Sequence, residues 1–107
     1  MTTGPLPQGT LDLLILKTLD AGPRHGYAVA RWLEEATGDA LSVEEGSLYP
    51  ALYRMERRGW IHASWARSDI GKDIKVYALT PAGRAELRRK NRQWASLTAA
   101  VGKVLRA

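Results

Sequence analysis

The sequence predicts a mainly α fold of the α+β type: three short helices, a β-hairpin and one long C-terminal helix. Three observations lead there. Apolar residues recur at helical spacing up to about Arg58. Between Trp60 and Leu79 the texture changes to β-branched and aromatic residues flanking a polar turn. From Thr80 to about Leu105 only Gly83 and Gly102 could break a helix. At 107 residues, 45% hydrophobic and 25% charged, the chain has the make-up of one globular domain.

Residues 1–8 hold two prolines and a glycine and read as a loose arm. Thr10 to Asp20 is apolar on almost every side, which suits a helix at the centre of a small core, with Asp12 in its first turn. After the turn at Ala21-Gly22-Pro23, a second helix is expected over Gly26–Thr37. Its apolar stripe is Val29, Trp32, Leu33 and Ala36, with Gly38 as a left-handed cap. His25 reads as a helix-start or core residue. Ala40 to Val43 is a connector or a strand stub. A third helix is expected from Glu45 to Arg58, stopped by Gly59. Trp60–Ala66 and Ile74–Leu79 form the hairpin arms, and Thr80-Pro81 has the N-cap and N1 chemistry of a helix start.

Several function classes are excluded. There is no cysteine, so disulfides, thiolate zinc sites, iron–sulfur clusters and a cysteine nucleophile are ruled out. His25 and His62 are isolated, which gives no metal-site spacing. No phosphate loop, nucleophile elbow or paired-carboxylate motif is present, so neither an enzyme nor a cofactor is expected. The longest apolar run is far short of the roughly 20 residues that span a bilayer, and the N-terminus has no leader pattern. A cytoplasmic protein is the expectation.

Charge is divided unevenly along the chain. Residues 1–53 carry 3 basic and 7 acidic side chains, whereas residues 54–107 carry 13 basic and 4 acidic, within an overall charge of +5. A basic half with arginines beside aromatics points to a polyanionic partner.

The third helix concentrates that signal. At 100° per residue, Leu48, Ala51, Leu52 and Met55 share one face. Gly46, Pro50, Tyr53 and Arg57 share the other, flanked by Tyr49 and Arg54. Arginine reads guanine edges and binds phosphate, and tyrosine offers a hydroxyl and a flat ring. Pro50 is expected near the first turn. Three helices, the last with a basic aromatic face, followed by a hairpin, match a winged helix-turn-helix, for which double-stranded DNA is the expected partner. Ser47, Tyr49, Pro50, Tyr53, Arg54 and Arg57 are the candidate contacts on the helix, and Lys72 and Lys75 those on the wing. Asp69 and Asp73 offset the wing lysines. That leaves a second reading open, a protein-interaction module of the same fold without DNA binding.

The last helix reads as a dimerisation element. Leu87, Trp94 and Val101 are seven apart, and Lys90, Leu97 and Val104 form the companion series. About 25 helical residues measure roughly 37 Å, too long for three short helices to cover. Residues 1–80 are thus expected to form the DNA-binding domain and 81–107 the dimerisation helix of a homodimer.

Leu6–Leu19, His25-Gly26-Tyr27, Glu45–Leu52, Met55–Trp60 and Val76–Gly83 together resemble the PadR family of transcriptional regulators, over about residues 6–105. The resemblance implies a winged-helix dimer that represses promoters at an inverted-repeat operator. It also implies that the C-terminal helix pairs with its mate and with the other subunit's first helix. Some relatives bind flat aromatic compounds at the dimer interface through a tryptophan of the last helix, and Trp94 matches that position. The wing tip Ser68-Asp69-Ile70-Gly71 is less basic than in many relatives, and the chain ends after one C-terminal helix, as in the short members.

Overall fold

The computed structural model describes residues 6–107; the first five residues of the expected N-terminal arm lie outside the described residues. Its elements are α1 (Gln8–Asp20), β1 (Arg24–His25), α2 (Gly26–Ala36), α3 (Glu45–Arg57), β2 (Ile61–Arg67), β3 (Asp73–Leu79) and α4 (Pro81–Arg106). The strands form one antiparallel sheet in the order β1-β3-β2. β2 and β3 are the arms of a hairpin, in register from Ile61 opposite Leu79 to Arg67 opposite Asp73. This is a winged helix-turn-helix with a long C-terminal helix.

One apolar core holds the first three helices to the sheet. α1 contributes Leu11, Ile15, Leu16 and Leu19, and α2 contributes Val29, Ala30 and Leu33. α3 contributes Leu48, Ala51, Leu52 and Met55, and the hairpin adds Ile61 and Tyr77. The helical periods read from the sequence point inward with one exception: at the end of the expected α2 stripe Ala36 is exposed, and Ala30 is buried instead. His25 caps α2, its Nδ1 accepting from the Ala28 backbone N–H at 3.3 Å. Gly38 follows α2 at φ 57° and Gly59 follows α3 at φ 77°, left-handed conformations that end both helices with little strain.

Four local expectations are corrected. α1 starts at Gln8, within the expected arm, so Asp12 lies beyond the first turn and is buried instead of facing the helix end. Residues 40–43 form no strand; the third strand is Arg24–His25, paired with Tyr77 and Val76. Pro50 lies in the second turn of α3, which begins at Glu45. It removes the N–H that would bond the Gly46 carbonyl, and because both residues are exposed that carbonyl can meet water. Lys90, placed on the outer seam by its spacing, folds back onto its own domain. Its ammonium lies 5.4 Å from the Trp60 ring centroid and 3.8 Å from Glu86.

The start of α4 is fastened to the base of the wing. Thr80 Oγ1 accepts from the Gly83 N–H at 3.0 Å and lies 2.6 Å from the Gly59 carbonyl and 3.0 Å from that of Trp60. Gly83 is buried there, and Leu87 packs on the core. Beyond these turns α4 leaves the globule, and every residue from Asn91 to Val101 is exposed. The radius of gyration, 15.0 Å, exceeds the roughly 13 Å of a compact chain of this length because of that projecting rod.

Candidate nucleic-acid interface

α3 owes its two-sided character to its position between core and solvent. Leu48, Ala51, Leu52 and Met55 are fully buried, which fixes the roll of the helix and turns the intervening residues outward. Gly46, Ser47, Pro50 and Arg57 are exposed, and Tyr49 and Tyr53 are 43% and 61% exposed. Arg57 donates to the Tyr53 hydroxyl at 3.4 Å, and its guanidinium lies 5.7 Å from that ring. Tyr53 and Arg57 therefore form one unit, a cation held beside a phenol. Tyr49 leans against α2, its ring passing the bare Cα of Gly26. The glycine that opens α2 and the tyrosine of α3 are thus parts of one contact.

Arg54 behaves differently from its neighbours. Its guanidinium turns inward and donates through Nη2 to Asp12 of α1. Asp12 is 2% exposed and the Arg54 side chain 27%. Removing one member of a buried ion pair costs about 3–5 kcal/mol, whereas one good base contact returns about 1–3 kcal/mol. The low end of that range, which suits a partly exposed pair, matches the most that a base contact returns, so turning Arg54 outward to DNA gains nothing. Tyr53, Arg54, Arg57 and Arg58 nevertheless line a shallow concavity of about 450 Å³ at the C-terminal end of α3. Arg58 is itself drawn 5.1 Å over the Trp60 ring.

The wing is electrically subdued. Lys75 sits 3.3 Å from Glu56 of α3 and 5.6 Å from the centre of the Tyr77 ring, so its charge is partly neutralised. Arg67 and Asp73 face each other across the hairpin at 3.9 Å. Lys72 stands exposed in the turn, which is closed by its backbone N–H donating to Ser68 Oγ at 3.1 Å. Two apolar side chains stand out: Trp65 on β2, 71% exposed, and Ile70 at the tip, 79% exposed. In the sequence Trp65 stands out only as a strand former. The signal that could have singled it out is the alternation Ile61, Ala63, Trp65, which puts it on the face carrying Tyr77 and Lys75 but beyond the edge of the core.

A second concave surface, about 220 Å³, lies between α1 and α4, with Thr10 and Leu13 on one side and Gln93, Trp94 and Leu97 on the other. Of the expected dimerisation residues, Leu87 packs on its own core, whereas Trp94, Leu97, Val101 and Val104 are exposed. Among the described residues no helix is long and apolar enough to cross a membrane.

Comparison with known proteins places this geometry in a family. The model of the transcriptional regulator PadR-like family matches residues 15–89. A PadR family transcriptional regulator from Eggerthella lenta superposes with a TM-score of 0.80 at 34% identity, covering 92% of this chain and 83% of that one. A PadR family transcription regulator from Clostridium difficile superposes with a TM-score of 0.78 at 29% identity, covering 89% and 97%. A transcriptional regulator of Mycobacterium tuberculosis is 42% identical over 57 residues, 52% of this chain and 52% of that protein. The curated relatives are spanned unevenly, from 24% to 89% of their own length. With the family model covering more than half of its residues, the chain belongs to the PadR-like family of transcriptional regulators.

Proposed function

We propose that this regulator works as a homodimer that binds double-stranded DNA sequence-specifically, with α3 in the major groove and the β2–β3 wing against the neighbouring backbone. One observation carries the reading: the outward face of α3 presents Tyr49, Tyr53 and Arg57 to solvent while its other face is wholly buried. Ser47 and Pro50 complete that face, and Lys72 and Lys75 are the wing's cations. Arg57 and the tyrosine hydroxyls suit phosphate oxygens and base edges, and the tyrosine rings suit thymine methyls.

The dimer follows from the uncovered part of α4. Trp94, Leu97, Val101 and Val104 would expose apolar surface along a helix that its own chain covers only in part, and a second copy buries it symmetrically. In this reading residues 1–80 bind DNA and residues 81–107 set the separation of two recognition helices near one turn, roughly 34 Å. Repression at an inverted repeat is the corresponding activity. A flat aromatic effector fits the groove beside Trp94 and would act by favouring one dimer geometry over another.

The direct test is a fluorescence titration against duplex from the gene's own promoter region at rising salt. Affinity should fall about 100-fold between about 50 and about 200 mM salt, the response of roughly four phosphate contacts. A flat response contradicts DNA binding. The exposed Trp65 and Ile70 on a nearly neutral wing favour one alternative, a protein-interaction module, and failure to bind any duplex would select it.

A further inference from the structure

We propose that Arg54 is a positioning residue, not a reader: its bond to Asp12 sets the roll at which α3 stands out from the core. This rests on the DNA-binding reading above. Asp12 and Arg54 are 42 residues apart and join the first helix to the recognition helix. Around them the contact between α1 and α3 is apolar, through side chains such as Ile15, Leu16, Leu52 and Met55, all fully buried. Apolar contact is non-directional, so it fixes how closely two helices approach more firmly than how each is turned. A charge-assisted hydrogen bond is directional and adds the missing constraint. Arg54 directly follows Tyr53 and lies one helical turn before Arg57 and Arg58, so whatever holds Arg54 also aims those side chains.

The two partners explain each other's burial. A carboxylate as enclosed as Asp12 needs a cation, and among the described residues Arg54 supplies its side-chain hydrogen bond. In return the guanidinium is turned toward α1, and its charge is balanced before DNA arrives. Arg54 should therefore influence specificity, which depends on aim, and leave untouched the number of counterions released, which depends on phosphate contacts.

The experiment uses the full chain with duplexes enriched from a random pool by the wild-type protein and a scrambled duplex as control. Arg54→Gln and Asp12→Asn should each lower the enriched-to-scrambled affinity ratio about tenfold, and the double variant should be no worse than either single one by more than about twofold, because both remove one shared interaction. Arg54→Gln should keep the wild-type slope of log affinity against log salt. Arg54→Lys keeps a cation opposite Asp12 and should restore the ratio to within about threefold, which a bidentate guanine contact would not allow. A slope reduced by about one counterion in Arg54→Gln, or an Asp12→Asn variant matching wild type, would overturn the inference. The DNA-free protein provides an independent reading. Asp12→Asn should shift the amide NMR resonances of Tyr49, Tyr53 and Arg57, and unchanged resonances would overturn the inference whether or not DNA binds. A wild-type protein that enriches no duplex while those resonances do move would sink the DNA reading and leave the tie standing.

Discussion

A Cβ added at Gly26 would stand 2.7 Å from Cε1 of Tyr49, and one added at Gly83 would stand 1.9 Å from the Trp60 carbonyl oxygen. The two sites differ in what can give way. At Gly26 the neighbour is a half-exposed ring on a flexible side chain, so Gly26→Ala should leave the melting temperature nearly unchanged and weaken DNA binding about threefold to tenfold by re-aiming Tyr49. At Gly83 the neighbour is backbone, so Gly83→Ala should lower stability by about 1–3 kcal/mol despite alanine's better helix propensity, as read by thermal unfolding. At this scale the sequence disclosed the inward residues of α3, because a helical period needs no knowledge of the rest of the chain. The inward turn of Arg54 was not legible. A wheel angle gives the direction of a side chain but not the presence of Asp12 on another helix. The same holds for Gly26: the motif around it was visible, but the ring it accommodates comes from α3.

Among the elements, α4 shows how a local signal and a tertiary one combine. Thr80-Pro81 announced its start, and the structure adds that the Thr80 hydroxyl also lies against the carbonyls of Gly59 and Trp60. Thr80→Ala should therefore cost about 1–2 kcal/mol, at the upper end for a helix cap, in chemical denaturation. One turn on, a hydrogen bond from Arg89 holds the Glu86 carboxyl below its ordinary value, against the opposing effect of burial, with added help from the charges of Arg89, Lys90 and Arg58. A carboxyl with a lowered folded-state value stabilises the fold above the ordinary carboxylate range and loses that contribution as pH falls through the lowered value. Glu86→Gln should accordingly be less stable than wild type at pH 7, and the gap should close below about pH 4 in melting curves taken across pH. β1 shows the opposite case. Two residues cannot display an alternation, and Arg24–His25 is a strand only because Tyr77 and Val76 lie opposite. Residues 40–43 had strand-like composition but no such partner strand, and they stay irregular.

For the whole molecule, the long C-terminal helix was legible from the lack of breakers, and the expectation of a second chain rests on its length. What the sequence concealed was where the globule ends and the rod begins. The seven-residue series ran through Leu87 and Lys90 without interruption, yet both pack on their own domain, and the uncovered stretch starts only beyond them. If the outer half pairs two copies, Leu97→Asp with Val101→Asp should convert dimer to monomer in sedimentation equilibrium and leave the melting of residues 6–90 largely unchanged. Operator affinity should then fall by about 100-fold or more, because one half-site alone must hold each copy. The most direct test of the central claim, that paired α3 helices read DNA, is selection of bound duplexes from a random pool with the wild-type protein. The expected product is an inverted repeat whose half-sites are centred about 10 base pairs, or a multiple, apart. Enrichment of a single unrepeated site, or of no sequence at all, would contradict it.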